Sequence, residues 1–106
     1  MATSIIKMNR YRHDLRVYEE TTIDLAKVEY IDPISLHIGN GRYYFTLYYD
    51  LPFEDGHNST FLSYDNLFEA RCVLAMLVEM VREASPGANL KNALMQTINA
   101  DVDGGA

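Results

Sequence analysis

The stretch ISLHIGNGRYYFTLYY, residues 34–49, constrains the fold of this chain more than any other. Side chains along a β-strand point alternately to the two faces of a sheet, so apolar residues at every second position give the strand one face to bury. The first half places Ile34, Leu36 and Ile38 on one face; the second places Tyr43, Phe45, Leu47 and Tyr49 on one face. An Asn40-Gly41 turn of type I′, with positive φ at both residues, sets Ile38 opposite Tyr43, Leu36 opposite Phe45 and Ile34 opposite Leu47. The apolar faces then coincide, and a slip of one residue would separate them. The pattern predicts an antiparallel hairpin. Its other face carries Arg42, Tyr44, Thr46, Tyr48 and Asp50, with Ser35 and His37 beside them.

The remaining segments supply what this hairpin needs to pack against. Residues 5–11 read as a first strand and 15–18 as a second, joined by a tight turn within RYRHD. Over 22–31 the apolar phase switches, from Ile23 and Leu25 to Ala26, Val28 and Tyr30, which predicts a strand with a bulge or kink. Asp32-Pro33 marks a bend or a strand start. Residues 51–59 are a polar loop, and 60–64 a short last strand. Asn66 with Glu69 three residues on forms a capping box, and the following helix runs to about Ala84, stopped by Ser85-Pro86-Gly87. Leu67, Ala70, Leu74, Leu77, Val78 and Val81 form its core face, flanked by Val73, Met76 and Met80. That face is wider than one sheet requires. Asn89 is therefore expected to cap a short helix over 90–100 whose Leu90, Leu94 and Ile98 cover the flank; otherwise the flank is a subunit interface. The expected fold is α+β: an antiparallel four- to five-stranded meander packed on one long and one short C-terminal helix, with the second sheet face left open.

At 106 residues the chain is expected to be one domain over 1–100, with 101–106 a frayed tail. Hydrophobic residues make up 48% and charged residues 23%, a balance that argues against disorder. The longest apolar run, residues 72–78, is far short of the roughly 20 residues that cross a bilayer. The N-terminus has no secretory h-region, and a single cysteine forms no internal disulfide, so a cytoplasmic protein is expected.

Charge is distributed unevenly. Residues 1–18 carry Lys7, Arg10, Arg12 and Arg16 against Asp14; residues 19–69 carry ten acids against Lys27 and Arg42; the whole chain has a net charge of −6. The acidic centre disfavours a phosphate backbone and favours a basic partner or simple solubility.

No motif names a reaction. His13, His37 and His57 have no ligand spacing with each other or with Cys72, so zinc is not expected. The loop from Asp50 to Asn58 gathers Asp50, Glu54, Asp55 and His57 but lacks the pattern of an EF-hand; a solvated turn explains it. Cys72, past the first helical turn and among apolar residues, is expected to be a buried structural thiol. GNG is a hairpin turn and not a phosphate loop. No cofactor is expected. Nucleic-acid binding has some support in Lys7, Arg10, Tyr11, Arg12 and Arg16, and in Arg42, Tyr44 and Tyr48 as a stacking platform, but the acidic centre opposes it.

The segment YYFTLYYDLPFEDGHNSTFLSYDNLFEARCVLAMLVEM, a hairpin closing through a short strand into a helix, resembles in build many small phage and mobile-element proteins, including some anti-CRISPR proteins. Bacterial immunity proteins have a similar character. The resemblance covers about half the chain and implies a compact, cofactor-free inhibitor that blocks a basic site on a larger protein or protein–RNA complex. It assigns no residue by motif.

The candidate partner-binding residues come from the facing pattern and the charges: Arg42, Tyr44, Tyr48, Asp50 and His37 on the open sheet face, with Glu19, Glu20, Glu54 and Asp55 as an acidic rim. Tyrosine supplies rigid area with a hydroxyl handle, which suits an interface. The expected function is a non-enzymatic inhibitor of a larger protein or ribonucleoprotein with a basic surface, contacting neither membrane nor nucleic acid directly. The alternatives are a nucleic-acid-binding module, a homodimeric regulatory module joined through the long helix, and a small-ligand or enzyme domain built on the Asp50–His57 loop with His37.

Overall fold

The computed structural model describes residues 4–49, 58–95 and 98–101. Within them, a two-stranded ribbon, a five-stranded sheet and one long helix enclose a single core. Strands β1 (Ile5–Arg12) and β2 (Val17–Asp24) pair antiparallel as the ribbon. Their turn is His13–Arg16, with Arg16 at φ 55°. The ribbon buries one side: Ile6 and Met8 pack against the core, and Ile23 is fully enclosed.

The phase switch after Ile23 is a change of element. Asp24 caps a 3₁₀ turn over Leu25–Lys27, its carboxylate accepting from the Ala26 N–H at 3.2 Å. The chain leaves the ribbon there and enters the larger sheet as β3 (Val28–Ile31). Leu25 stays buried because its N–H donates to the Ser4 carbonyl at 2.7 Å, which fastens the turn to the start of β1.

Strand β5 (Arg42–Tyr49) is the centre of the sheet. On one side it pairs β3 with its C-terminal half and β4 (Ser35–His37) with its N-terminal half, the two being separated by the Asp32-Pro33 bend. On the other side it pairs β6 (Ser59–Tyr64) over six residue pairs. Phe45, Leu47 and Tyr49 point inward and are buried, as the alternation predicts, and Leu62 from β6 joins them. Burying each such side chain contributes about 1.5–3 kcal/mol.

The hairpin register differs from the expected one by two residues. Leu36 opposes Tyr43 and His37 opposes Arg42, so the loop is Ile38–Gly41 rather than Asn40-Gly41 alone. Only Gly41 takes positive φ, at 70°. Asn40 instead accepts the Arg42 N–H on its side-chain oxygen at 2.9 Å, and its own N–H donates to His37 Nδ1 at 3.1 Å. These bonds hold a longer turn that a type I′ geometry would break. A shift of two keeps every side chain on its face. It removes Ile38 from the apolar row, leaving it 55% exposed.

Helix α1 (Leu67–Ala84) begins and ends where its signals place it. Asn66 Oδ1 accepts the Glu69 N–H at 3.1 Å, and the Ser85 N–H closes the last turn on the Val81 carbonyl. Ala70, Leu74, Leu77, Val78 and Val81 pack onto the sheet. Cys72 is exposed, contrary to expectation, because it projects from the side of the helix opposite this row.

The second helix does not form among the described residues. Ser85 Oγ donates to the Val28 carbonyl and the Asn89 N–H to the Glu29 carbonyl, so the chain returns along β3 in extended form. Asn89 Oδ1 then accepts the Lys91 N–H, and two turns follow, the Ala93 N–H donating to the Leu90 carbonyl and the Met95 N–H to the Asn92 carbonyl. Two asparagines in a segment too short to sustain a helix alone favour local turns. Leu90 and Ile98 still pack against the core, as expected, but from just before these turns and just before the last strand, while Leu94 is exposed. The last described strand, β7 (Asn99–Asp101), adds parallel to β4.

Candidate partner-binding face

The outward residues of β5 are Arg42, Tyr44, Thr46 and Tyr48, as the alternation requires. Their neighbours follow from the register: His37 beside Arg42, Ser35 and Ser63 beside Tyr44, Phe61 beside Thr46, and Tyr30 beside Tyr48. The face divides into two parts with opposite chemistry.

The first part lies at the start of β5. Here the ribbon tip folds over the sheet. The Arg42 guanidinium lies 3.8 Å over the Tyr11 ring, and its Nη2 donates to the Tyr18 hydroxyl at 3.3 Å. Arg42 Nε donates to Ser63 Oγ at 2.8 Å, and Nη2 to the Ser63 carbonyl at 3.0 Å. Ser63, on the outer face, is buried under this arginine. The His13 ring sits 5.5 Å from Phe61, which in turn lies 4.8 Å from the Tyr44 ring. A cleft of about 420 Å³ remains between the ribbon tip and the β4–β5 turn. His13 lines it from the ribbon, His37 and Asn40 from β4 and its turn, Arg42 and Tyr44 from β5, and Phe61 and Ser63 from β6. Partial burial lowers the proton affinity of His13, and the charges of Arg42 and His37 lower it further, against an opposing pull from Asp14.

The second part lies at the end of β5. The Tyr48 hydroxyl donates to Asp32 Oδ2 at 3.0 Å, and the Tyr30 and Tyr48 ring centroids are 5.8 Å apart. Burial, and then the Asp32 carboxylate, push both phenols above the usual tyrosine range. Tyr48 is 39% exposed. Two aromatic rings beside a carboxylate form an acidic, amphipathic patch.

Of the expected site residues, the fold brings Arg42, Tyr44 and His37 together at the cleft and sets Tyr48 at the acidic patch. Tyr44 and Tyr48 both have structural contacts, the one with Phe61 and the other with Asp32 and Tyr30, where none was expected. Glu19 and Glu20 lie in β2 of the ribbon, opposite basic residues of β1. Glu19 meets Arg12 at 3.1 Å and Arg10 at 3.7 Å, and Glu20 meets Lys7 at 3.9 Å. Lys7, Arg10 and Arg12 of the basic N-terminal segment are thus balanced locally, which weakens its pull on a phosphate backbone; Arg12 is also held by Asp14 at 2.6 Å. Asp50, Glu54, Asp55 and His57 lie outside the described residues.

Sequence reasoning missed His13, Phe61, Tyr30 and Asp32. Strand alternation could have placed Tyr30 outward, but only the ribbon's return over the sheet brings His13 to the cleft. Among the described residues no group of histidines, cysteines and acids is placed to hold a metal, and no helix is long and apolar enough to cross a membrane. No protein-family model, curated protein or solved structure matches the chain.

Proposed function

We propose that the protein is a non-enzymatic, cytoplasmic binding domain that docks on a basic surface of a larger protein or ribonucleoprotein and blocks it, in the manner of the small phage inhibitors it resembles in build. The observation that carries this reading is the Tyr30–Tyr48–Asp32 patch on the outer sheet face. An arginine or lysine of the partner would lie against a tyrosine ring and reach the Asp32 carboxylate, joining a cation–π contact to a charge-assisted hydrogen bond. The net charge of −6 would speed encounter with such a surface.

The test compares the wild-type chain with a Tyr30→Ala/Tyr48→Ala variant and with Asp32→Asn, each used to capture partners from cell lysate. A partner held in fixed stoichiometry by the wild type, released by salt and lost from folded variants, supports the reading. Equal retention by all three chains overturns it.

A second reading is self-association through α1. Phe68 is 76% exposed and Met76 47% exposed, and with Cys72 they recur every fourth residue along one helix face. Sedimentation that shows a monomer at every concentration removes this reading.

A further inference from the structure

We propose that the cleft between the ribbon tip and the β4–β5 turn binds a small phosphate-bearing molecule of mononucleotide size. This inference is independent of the reading above, which concerns the other end of β5.

Charge is the first ground. Lys7, Arg10, Arg12 and Arg82 each meet a carboxylate. Arg42 meets none among the described residues: its partners there are Ser63, the Tyr18 hydroxyl and the Tyr11 ring. His13 and His37 line the same cleft, and no carboxylate is among the described side chains that line it. In a chain of net charge −6, this sets a guanidinium with no carboxylate partner among the described residues beside two imidazoles. An anion bound there would pair with Arg42 and ease the repulsion that depresses the proton affinity of His13.

Preorganisation is the second. Ser63 holds the arginine through Nε and Nη2, so its fork is fixed before any ligand arrives; Nη1 makes no hydrogen bond among the described residues. His37 Nδ1 accepts the Asn40 N–H, which places the proton of the neutral ring on Nε2 and leaves that nitrogen as a donor. A planar guanidinium with histidine donors beside it suits phosphate oxygens.

Size and lining are the third. A cavity of about 420 Å³ falls among sites that hold small organic ligands and far exceeds what one phosphate fills. The rings of Tyr44 and Phe61 line it beside the basic groups. Aromatic walls next to a phosphate-binding cluster favour a ligand whose phosphate is carried on a planar, stacking body.

The test is an NMR titration of the intact chain with adenosine monophosphate, inorganic phosphate and adenosine. The nucleotide is expected to shift the signals of His13, His37, Arg42, Tyr44 and Phe61, with phosphate and adenosine each binding at least about tenfold more weakly. A folded His13→Gln/His37→Gln variant is expected to lose the nucleotide response at least about tenfold. Should that variant not fold, the wild type decides by pH. Affinity must fall as pH rises through the range below about 6.5 in which His13, facing Arg42, His37 and Asp14, loses its charge. Absence of shifts, shifts at other residues, or affinity insensitive to both variant and pH overturns the proposal. Equal affinity for phosphate and nucleotide overturns the assignment of mononucleotide size.

Discussion

The guanidinium of Arg42 lies 3.8 Å over the ring of Tyr11, and this contact joins the ribbon to the sheet across a face that strand alternation alone leaves open. The same group donates to both oxygens of Ser63 and to Tyr18. Lysine keeps the charge but cannot reproduce a planar fork that stacks and donates in several directions. Arg42→Lys is expected to destabilise the protein by about 1–2 kcal/mol in urea denaturation, with an unchanged m-value. A double-mutant cycle with Tyr11→Leu is expected to return about 0.5–1 kcal/mol of coupling. A variant within a few tenths of wild type would show that the arginine is held by the sheet and holds nothing itself.

Gly41 and Gly39 stand two residues apart in one turn and answer to different constraints. Gly41 has φ 70°, and a Cβ added there meets nothing within 4 Å, so Gly41→Ala carries only the cost of the left-handed backbone, about 1–2 kcal/mol. Asparagine, which tolerates that region, should recover part of it. At Gly39 a Cβ would come 2.9 Å from His37 Cε1, so the imidazole must move. Gly39→Ala is therefore expected to displace the His37 ring signals and to cost no more than the Asn40 N–H bond to His37 Nδ1, about 0.5–1 kcal/mol and less than Gly41→Ala. Thermal denaturation and histidine NMR spectra separate the two outcomes; equal destabilisation by both alanines would mean that the turn is read wrongly.

The parts of the fold legible in the sequence are those in which local chemistry and burial agree. Asn66, Glu69 and Ser85 frame α1 because capping is a contact between near neighbours. The inward row of Phe45, Leu47 and Tyr49 follows from a strict two-residue period. The hairpin register was open to error because faces survive a two-residue shift, and the choice between the two turns rested on hydrogen bonds from Asn40 and His37 that no spacing reveals. The segment after Asn89 reads as helix because Leu90, Leu94 and Ile98 fit a helical period, while its backbone is held by β3 and β4, which are distant in sequence. The candidate site shows the same division. The outward placement of Arg42, Tyr44 and Tyr48 was legible; the cleft was not, since it depends on the ribbon bringing His13 to Phe61, a separation of 48 positions along the chain.

The proton affinity of His13 is depressed, by burial first and then by Arg42 and His37. Its unfolded counterpart titrates near 6.5. The unfolded chain therefore takes up the proton first as pH falls, and the contribution of His13 to stability is present above about pH 6.5 and lost as pH falls through the lower folded value. His13→Gln is expected to flatten this acid limb in denaturation curves measured across the range. An anion in the cleft would oppose the effect, so phosphate should raise the histidine's proton affinity and restore part of the lost stability. An acid limb unchanged by the substitution would show that other groups carry it.

At the alkaline end the controlling residue is Tyr64. Its side chain is 5% exposed and stacks on Phe45 with centroids 6.3 Å apart. Burial, with Glu69 and Tyr18 adding repulsion, pushes its phenol from 10.0 up to about 12. The folded protein thus holds this proton more tightly than the unfolded chain. Nothing is lost below about pH 10; above it the unfolded phenol ionises while the folded one cannot, and stability falls by on the order of 2 kcal/mol as pH approaches 12. Tyr30 and Tyr48 act in the same direction. Tyr64→Phe keeps the ring stacked on Phe45 and removes the ionisable group, so urea midpoints of the variant should decline less steeply above pH 10 and match the wild type below it. Parallel declines in the two proteins would place the alkaline sensitivity at other residues.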